Sequence, residues 1–197
     1  PLETCLRACG IEVEAGGDPP TGAISRLGED GGTGLDGLWM HADPVHLRAD
    51  RDALLVFASP AIGPSRAEAD ALIETLNRHF ADDGLVFVAP APARWYVRVE
   101  RRLELCTTPL HQVLGRPMTP YLPRGSGASE WMRLVNEAQM LLHACAVNRR
   151  RESAGRPMIN GLWTWGAGRL PRAPAHPVAL LIGDHPLLAG LARLGGG

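Results

Sequence analysis

The stretch SRAEADALIETLNRHF, Ser65 to Phe80, limits the possible folds more than any other part of the chain. Ser65 followed three residues later by Glu68 is a capping box, in which hydroxyl and carboxylate each satisfy a backbone N–H that the first helical turn leaves free. Ala69, Leu72, Ile73, Leu76 and Phe80 then recur at helical spacing, and Gly84 stops the helix. A helix with one apolar face needs an apolar surface to cover it. Short strand-like runs supply that cover at Leu38 to Ala42, Ala53 to Ala58, Leu85 to Val88, Trp95 to Val99, Ile159 to Trp165 and Val178 to Ile182. A second one-sided helix runs from Ser129 to about Asn148, striped by Trp131, Leu134, Val135, Ala138, Leu141, Leu142 and Cys145, and a last one from Pro186 to Leu194. The expected architecture is α+β: a mixed sheet with helices packed mainly on one face.

The connections follow from the breakers. Residues 1–37 read as a flexible lead-in, since Ala15 to Gly37 is dense in Gly, Pro, Asp and Thr. Residues 38–197 read as a single domain, with 147–197 as its junction to a domain outside the chain. Asp43-Pro44 suggests a turn after the first strand, and APAPAR a hairpin connection after Val88. A short helical turn is expected between Thr108 and Leu114, before Pro117, Pro120 and Pro123. The chain opens on Pro1 and closes on Gly195-Gly196-Gly197, and is read as a piece of a longer protein.

Composition removes several classes of function. With 45% hydrophobic and 21% charged residues the chain has material for a core, and a formal charge of −1 leaves no basic field for a nucleic-acid backbone. All 20 basic residues are arginine, which reads first as codon bias. No apolar run is long enough to span a membrane. The four cysteines, Cys5, Cys9, Cys106 and Cys145, lack the dense spacing of a disulfide framework, so the expected setting is a reducing cytoplasm. Cys5 and Cys9 alone make no zinc site.

The segment VNRRRESAGRPMINGLWTWGAG, Val147 to Gly168, is richest in candidate chemistry. Asn148 and Arg151 lie three apart on one side of a helix end, and arginine presents a planar fork suited to carboxylate or phosphate. The competing reading is a solvated cap, in which Arg149, Arg150 and Arg151 offset the helix dipole. Trp163 and Trp165 alternate on a strand, share a face and read as core. Asn136, Gln139 and His143 flank the apolar stripe of their helix, as packing groups or as a pocket wall. His41, Asp43 and His46 are a compact trio of possible metal ligands, weighed against ordinary turn-making. No Gly-x-Ser-x-Gly elbow is present, Ser126 lies in a glycine-rich loop, and no catalytic residue is assigned.

Val147-Asn148, Arg151, Gly155, Pro157, Asn160, Trp163, Trp165, Gly166 and Gly168 resemble a segment of archaeal-type cofactor-independent phosphoglycerate mutases. WMHADPVHLRADRDALLVF, RWYVRV, NEAQMLLH and NGLWTWGAG are similar to bacterial relatives of those mutases, often labelled regulatory proteins of the RpfE type. The resemblance covers most of the chain from Leu38 onward. It implies the inserted domain of an alkaline-phosphatase-superfamily enzyme, binding a small phosphorylated acid through Arg94, Asn148, Arg151 and Asn160. It also implies a divalent metal in the full-length protein, whose ligands and nucleophilic serine have no counterpart in these residues. Cys145-Ala146 stands where the mutases carry His-Pro, and Thr108-Pro109 where they carry Asp-Pro. The alternative is a non-enzymatic regulatory or interaction module derived from such a mutase.

Overall fold

The computed structural model describes residues 6–11, 17–30, 35–101, 103–173 and 183–196. Among the described residues five strands form one sheet: β1 (Leu38–Asp50), β2 (Ala53–Phe57), β3 (Leu85–Ala91), β4 (Arg94–Val99) and β5 (Gly161–Gly168). The path is β2-β1-β4-β3, with β5 also on β1, and every pairing is antiparallel. Among the described residues they are accompanied by α1 (Thr21–Asp30), α2 (Arg66–His79), α3 (Ala128–Ala144), α4 (Ala146–Ser153) and α5 (Pro186–Leu194). The α+β architecture is as expected, although among the described residues the sheet is antiparallel rather than mixed.

The expected turn at Asp43-Pro44 does not occur, because β1 runs straight through it. Its pairing with β4 ends at His41 and its pairing with β2 begins at His46. The alternation set by those registers points the Pro44 nitrogen into the gap between the two partners. A proline lacking an N–H therefore breaks no ladder bond there.

The two faces of the sheet differ. Leu38, Met40 and Ala42 of β1, with Trp95, Val97 and Val99 of β4, join the main apolar core under α2 and α3. The α2 capping box is present: the Glu68 N–H donates to Ser65 Oγ at 3.2 Å and the Ser65 N–H to Glu68 Oε2 at 2.8 Å. Alternate residues Trp39, His41, Asp43 and Tyr96 point to the other face.

That face lies under α1, where a loop was expected from the glycines and prolines of Ala15–Gly37. Ten residues of this stretch are helical because their apolar side has a partner in α5. Ile24, Leu187 and Leu191 cluster with Leu6 and Ile11. Gly28 and Gly190 permit the close crossing, since a Cβ on either would collide with backbone of the opposite helix. Helices thus occupy both faces, α1 and α5 opposite α2 and α3.

The helix expected from Ser129 to Asn148 is two helices. Cys145 between them is extended (φ −73°, ψ 156°) and receives the Asn148 N–H on its sulfur at 3.5 Å. The expected strand at Val178–Ile182 lies outside the described residues. The hairpin of β3 and β4, a 3-10 turn at Leu110–Gln112 and α5 match expectation.

Candidate functional site

Asn148, Arg151 and Asn160 do not converge on a common concave surface. Asn148 is fully buried, donating through Nδ2 to the Leu142 and Ile159 carbonyls and accepting the Ile159 N–H, each at 2.8 Å. It ties the end of α3 to the approach to β5. Asn160 pairs both amide atoms with the backbone of Leu47, at 2.7 and 3.0 Å, and extends the β1–β5 ladder by one side chain.

Arg151 is neither a solvated cap nor a free anion receptor. Its side chain is 1% exposed. Nε donates to Pro157 O at 2.7 Å, Nη1 to Glu68 Oε2 at 2.9 Å and Nη2 to Ile62 O. Arg156 also reaches Glu68, at 3.0 Å. Burial opposes the Glu68 charge, but the Ser65 N–H and the two arginines outweigh it and hold the carboxyl below its ordinary range. The donors of these three residues are directed at the chain itself, because each sits where a helix end or strand start leaves backbone groups in need of partners.

Arg94 is placed differently. It opens β4 on the polar face, where Nε and Nη2 donate to the two oxygens of Glu29 on α1, at 2.8 and 3.2 Å. The Tyr96 hydroxyl donates to Glu29 Oε1 at 3.2 Å. The Arg94 side chain is 48% exposed while that of Glu29 is only 10%. Burial and the Glu29 charge push the Tyr96 phenol well above its ordinary value, keeping it a donor.

Beside this fork lies a buried polar cluster. His41 stacks on Trp165 with ring centroids 3.9 Å apart and planes 9° from parallel, and lies 5.0 Å from the Tyr96 ring. Burial, helped by His185, lowers the His41 imidazole to about 3. Asp43 accepts the Trp165 indole N–H at 2.7 Å, and burial raises its carboxyl to about 7 against the opposing pull of Trp165 and Arg94. Asp18 accepts the N–H groups of Thr107 at 2.7 Å and Ala167 at 3.2 Å, and the Thr107 hydroxyl; burial raises its carboxyl as well. Gly166, at φ +68°, lies where a Cβ would collide with Thr21 Oγ1, so α1 seats directly on β5.

The expected face-sharing of His41 and Asp43 is seen, but His46 points elsewhere, with Nδ1 2.9 Å from the Met158 carbonyl. A neutral, stacked imidazole and a carboxyl capped by an indole do not fit a cation. Among the described residues no group of three or more His, Cys, Asp or Glu could hold a metal ion. Asn136 and Gln139 do line an apolar cleft, formed with Met118, Leu122 and Trp163, whereas His143 does not. Trp163 is core and donates to Thr108 O at 2.8 Å; Trp165 belongs to the polar cluster. Glu29, Tyr96 and Trp165 were missed as site residues. Arg94 and Tyr96 alternate on one strand, and Thr21, Ser25 and Glu29 recur every four residues, which is the signal that would have found the polar contact.

No family model matches the chain. It is 30% identical over 130 residues to the "Probable 2,3-bisphosphoglycerate-independent phosphoglycerate mutase" of Geobacter sulfurreducens, a match covering 65% of this chain and 32% of that protein. It is 40% identical over 70 residues to the 2,3-bisphosphoglycerate-independent phosphoglycerate mutase of Methanothrix thermoacetophila, covering 36% of this chain and 18% of that one. A solved cofactor-independent phosphoglycerate mutase from Thermoplasma acidophilum shares the fold with a TM-score of 0.55 at 20% identity, covering 98% of this chain and 54% of that one. The matched segments therefore cover about a third or less of the length of these curated relatives. Among the described residues no helix is long and apolar enough to cross a membrane.

Proposed function

We propose that this chain, a homologue of the cofactor-independent phosphoglycerate mutases, is the substrate-side domain of such a protein and binds a small phosphorylated acid. The relatives are named for phosphoglycerate, which carries one phosphate and one carboxylate. The observation that carries the reading is the fork at Arg94. A guanidinium and a phenol hydroxyl on one strand face donate together to a single anionic group, the arrangement that carboxylate or phosphate recognition requires. Of the four residues implied by the resemblance, Arg94 makes the ligand contact. Asn148, Arg151 and Asn160 hold the scaffold behind it. A divalent metal and the nucleophile for phosphoryl transfer belong to residues outside this chain, in the cytoplasmic full-length protein.

Titration of the 197-residue chain with 3-phosphoglycerate should show saturable binding. Arg94→Ala should weaken it at least tenfold, since a charge-assisted hydrogen bond contributes roughly 1.5–3 kcal/mol. Binding that is unchanged in Arg94→Ala sinks the reading. The second reading, a regulatory or interaction module, is favoured by Glu29 already occupying the fork. Mutase activity of the full-length protein with manganese or magnesium separates the two, because a regulatory module turns nothing over.

A further inference from the structure

We infer that Glu29 is an internal stand-in for the anionic group of a ligand, and that α1 with α5 forms a displaceable cover over the polar face. The inference rests on the reading of Arg94 as an anion contact and adds how that contact is regulated: a phosphate or carboxylate reaches Arg94 and Tyr96 by displacing Glu29.

The first observation is the contact itself. The Glu29 carboxylate takes both Nε and Nη2 of Arg94 and also the Tyr96 hydroxyl. A planar fork satisfied this way by two oxygens has little left to offer a second anion at the same place. Half of the Arg94 side chain is nevertheless open to solvent, so a competing anion can approach it from outside.

The second observation is how unevenly α1 is held. Toward α5 it presents Ile24 and the close glycine crossing, and the two helices share an apolar cluster of their own. Toward the sheet it presents Ala23, packed with Trp39 and Tyr96, and beside it Thr21, Ser25 and Glu29, a polar stripe at four-residue spacing. Thr21 Oγ1 and Ser25 Oγ are buried with no hydrogen-bond partner, as are His41 Nε2 and Trp39 Nε1 on the strand below. Buried donors and acceptors left unmade oppose docking of the helix, and water would satisfy them if the helix lifted. The α1–α5 pair thus has an apolar cluster of its own, whereas its seat on the sheet leaves four buried polar atoms unmet.

The third observation is electrostatic. Besides Glu29, the carboxylates of Asp43 and Asp184 act on Arg94. Burial raises Asp43 to about 7, so below neutrality it largely carries its proton and adds little repulsion to an entering anion. Glu29 is the negative group that must move.

The test uses Glu29→Gln, which keeps the shape and removes the charge, in the 197-residue chain. Inorganic phosphate and 3-phosphoglycerate are titrated into wild type, Glu29→Gln and Glu29→Gln/Arg94→Ala by calorimetry. Both ligands are expected to bind Glu29→Gln at least tenfold more tightly than wild type, and the added Arg94→Ala should abolish the gain. Saturating phosphate should also speed amide hydrogen exchange over residues 21–30 of the wild-type chain. That readout keeps the inference testable if Glu29→Gln fails to fold; Glu29→Asp, which shortens the reach, should fall between the two. Arg94-dependent binding of equal strength in wild type and Glu29→Gln, or exchange in α1 that is unchanged or slowed by ligand, overturns the cover and leaves the substrate-side reading standing. Absence of Arg94-dependent binding in every variant overturns both.

Discussion

Met40 and His41 are neighbours on β1, yet they look into two different materials. On the Met40 side, the Trp131 indole N–H donates to Thr164 Oγ1 at 2.9 Å, and Asn148 and Arg151 use their donors on backbone and on Glu68. On the His41 side, imidazole, indole and hydroxyl atoms are buried without partners, and ionisable groups are pushed toward neutrality. One face is arranged to keep the fold. The other carries unmet hydrogen bonds that a structure optimised only for stability would have lost.

The largest effect that sharpens this contrast should come from Arg151→Ala. It leaves Glu68 with Arg156 and the Ser65 N–H but without its buried arginine, and the Ile62 and Pro157 carbonyls without that donor. Losing this charge-assisted contact and the donor to a buried carbonyl costs about 2–3 kcal/mol, read as a lower urea midpoint. A loss below about 1 kcal/mol would break the claim that this side holds the fold.

A middle-sized effect separates the faces by pH. Asp43 has a folded value near 7 against an ordinary 3.8, so the folded chain binds the extra proton and its contribution to stability falls as pH rises from about 4 to about 7. His41 has a folded value near 3 against 6.5, so the unfolded chain binds the extra proton and stability rises as pH climbs from about 3 to about 6.5. Between about pH 4 and 6.5 the two oppose each other. Asp43→Asn should leave the rising limb alone and His41→Gln the falling one, each on the order of a few kcal/mol across its window. Unfolding curves at a series of pH values check this, and profiles identical to wild type in both variants would contradict it.

The smallest effect has opposite signs on the two sides. Ser25→Ala deletes a buried hydroxyl with no partner and should stabilise by about 1 kcal/mol. Thr164→Val removes the acceptor of the Trp131 N–H and should destabilise by about 1–2 kcal/mol. Thermal unfolding that shifts in the same direction for both would dissolve the contrast.

What could be read in advance follows the range of the forces involved. The capping box of α2, the stripe of α3, the hairpin and α5 depend on residues a few positions apart, and periodicity and caps suffice to find them. Pro44 was misread because its tolerance depends on where two other strands stop pairing. Thr21–Asp30 was misread because its helix leans on α5, far along the chain, rather than on its own propensity. At Asn148 and Arg151 the spacing correctly placed both on one side of a helix. The direction of that side is set by Ile62 and Glu68, which lie 89 and 83 residues from Arg151. Glu29 opposite Arg94 is likewise a meeting of distant segments, and a single strand of text holds no trace of it beyond the four-residue rhythm of Thr21, Ser25 and Glu29.

The pairing of β1 with β5 also has a consequence in time. Asp43 and Trp165, which end hydrogen-bonded, are 122 residues apart. A ribosome adding roughly 5–20 residues per second leaves the β5 side of β1 without its partner for roughly 6–24 s after Asp43 is made. For that interval the strand destined for the interior is an open edge, the kind that recruits other chains. The hydrophilic side chains His41 and Asp43, which sit so uneasily in the finished interior, interrupt an otherwise apolar run of LWMHADPVHL during synthesis and make the nascent strand a poorer template for aggregation.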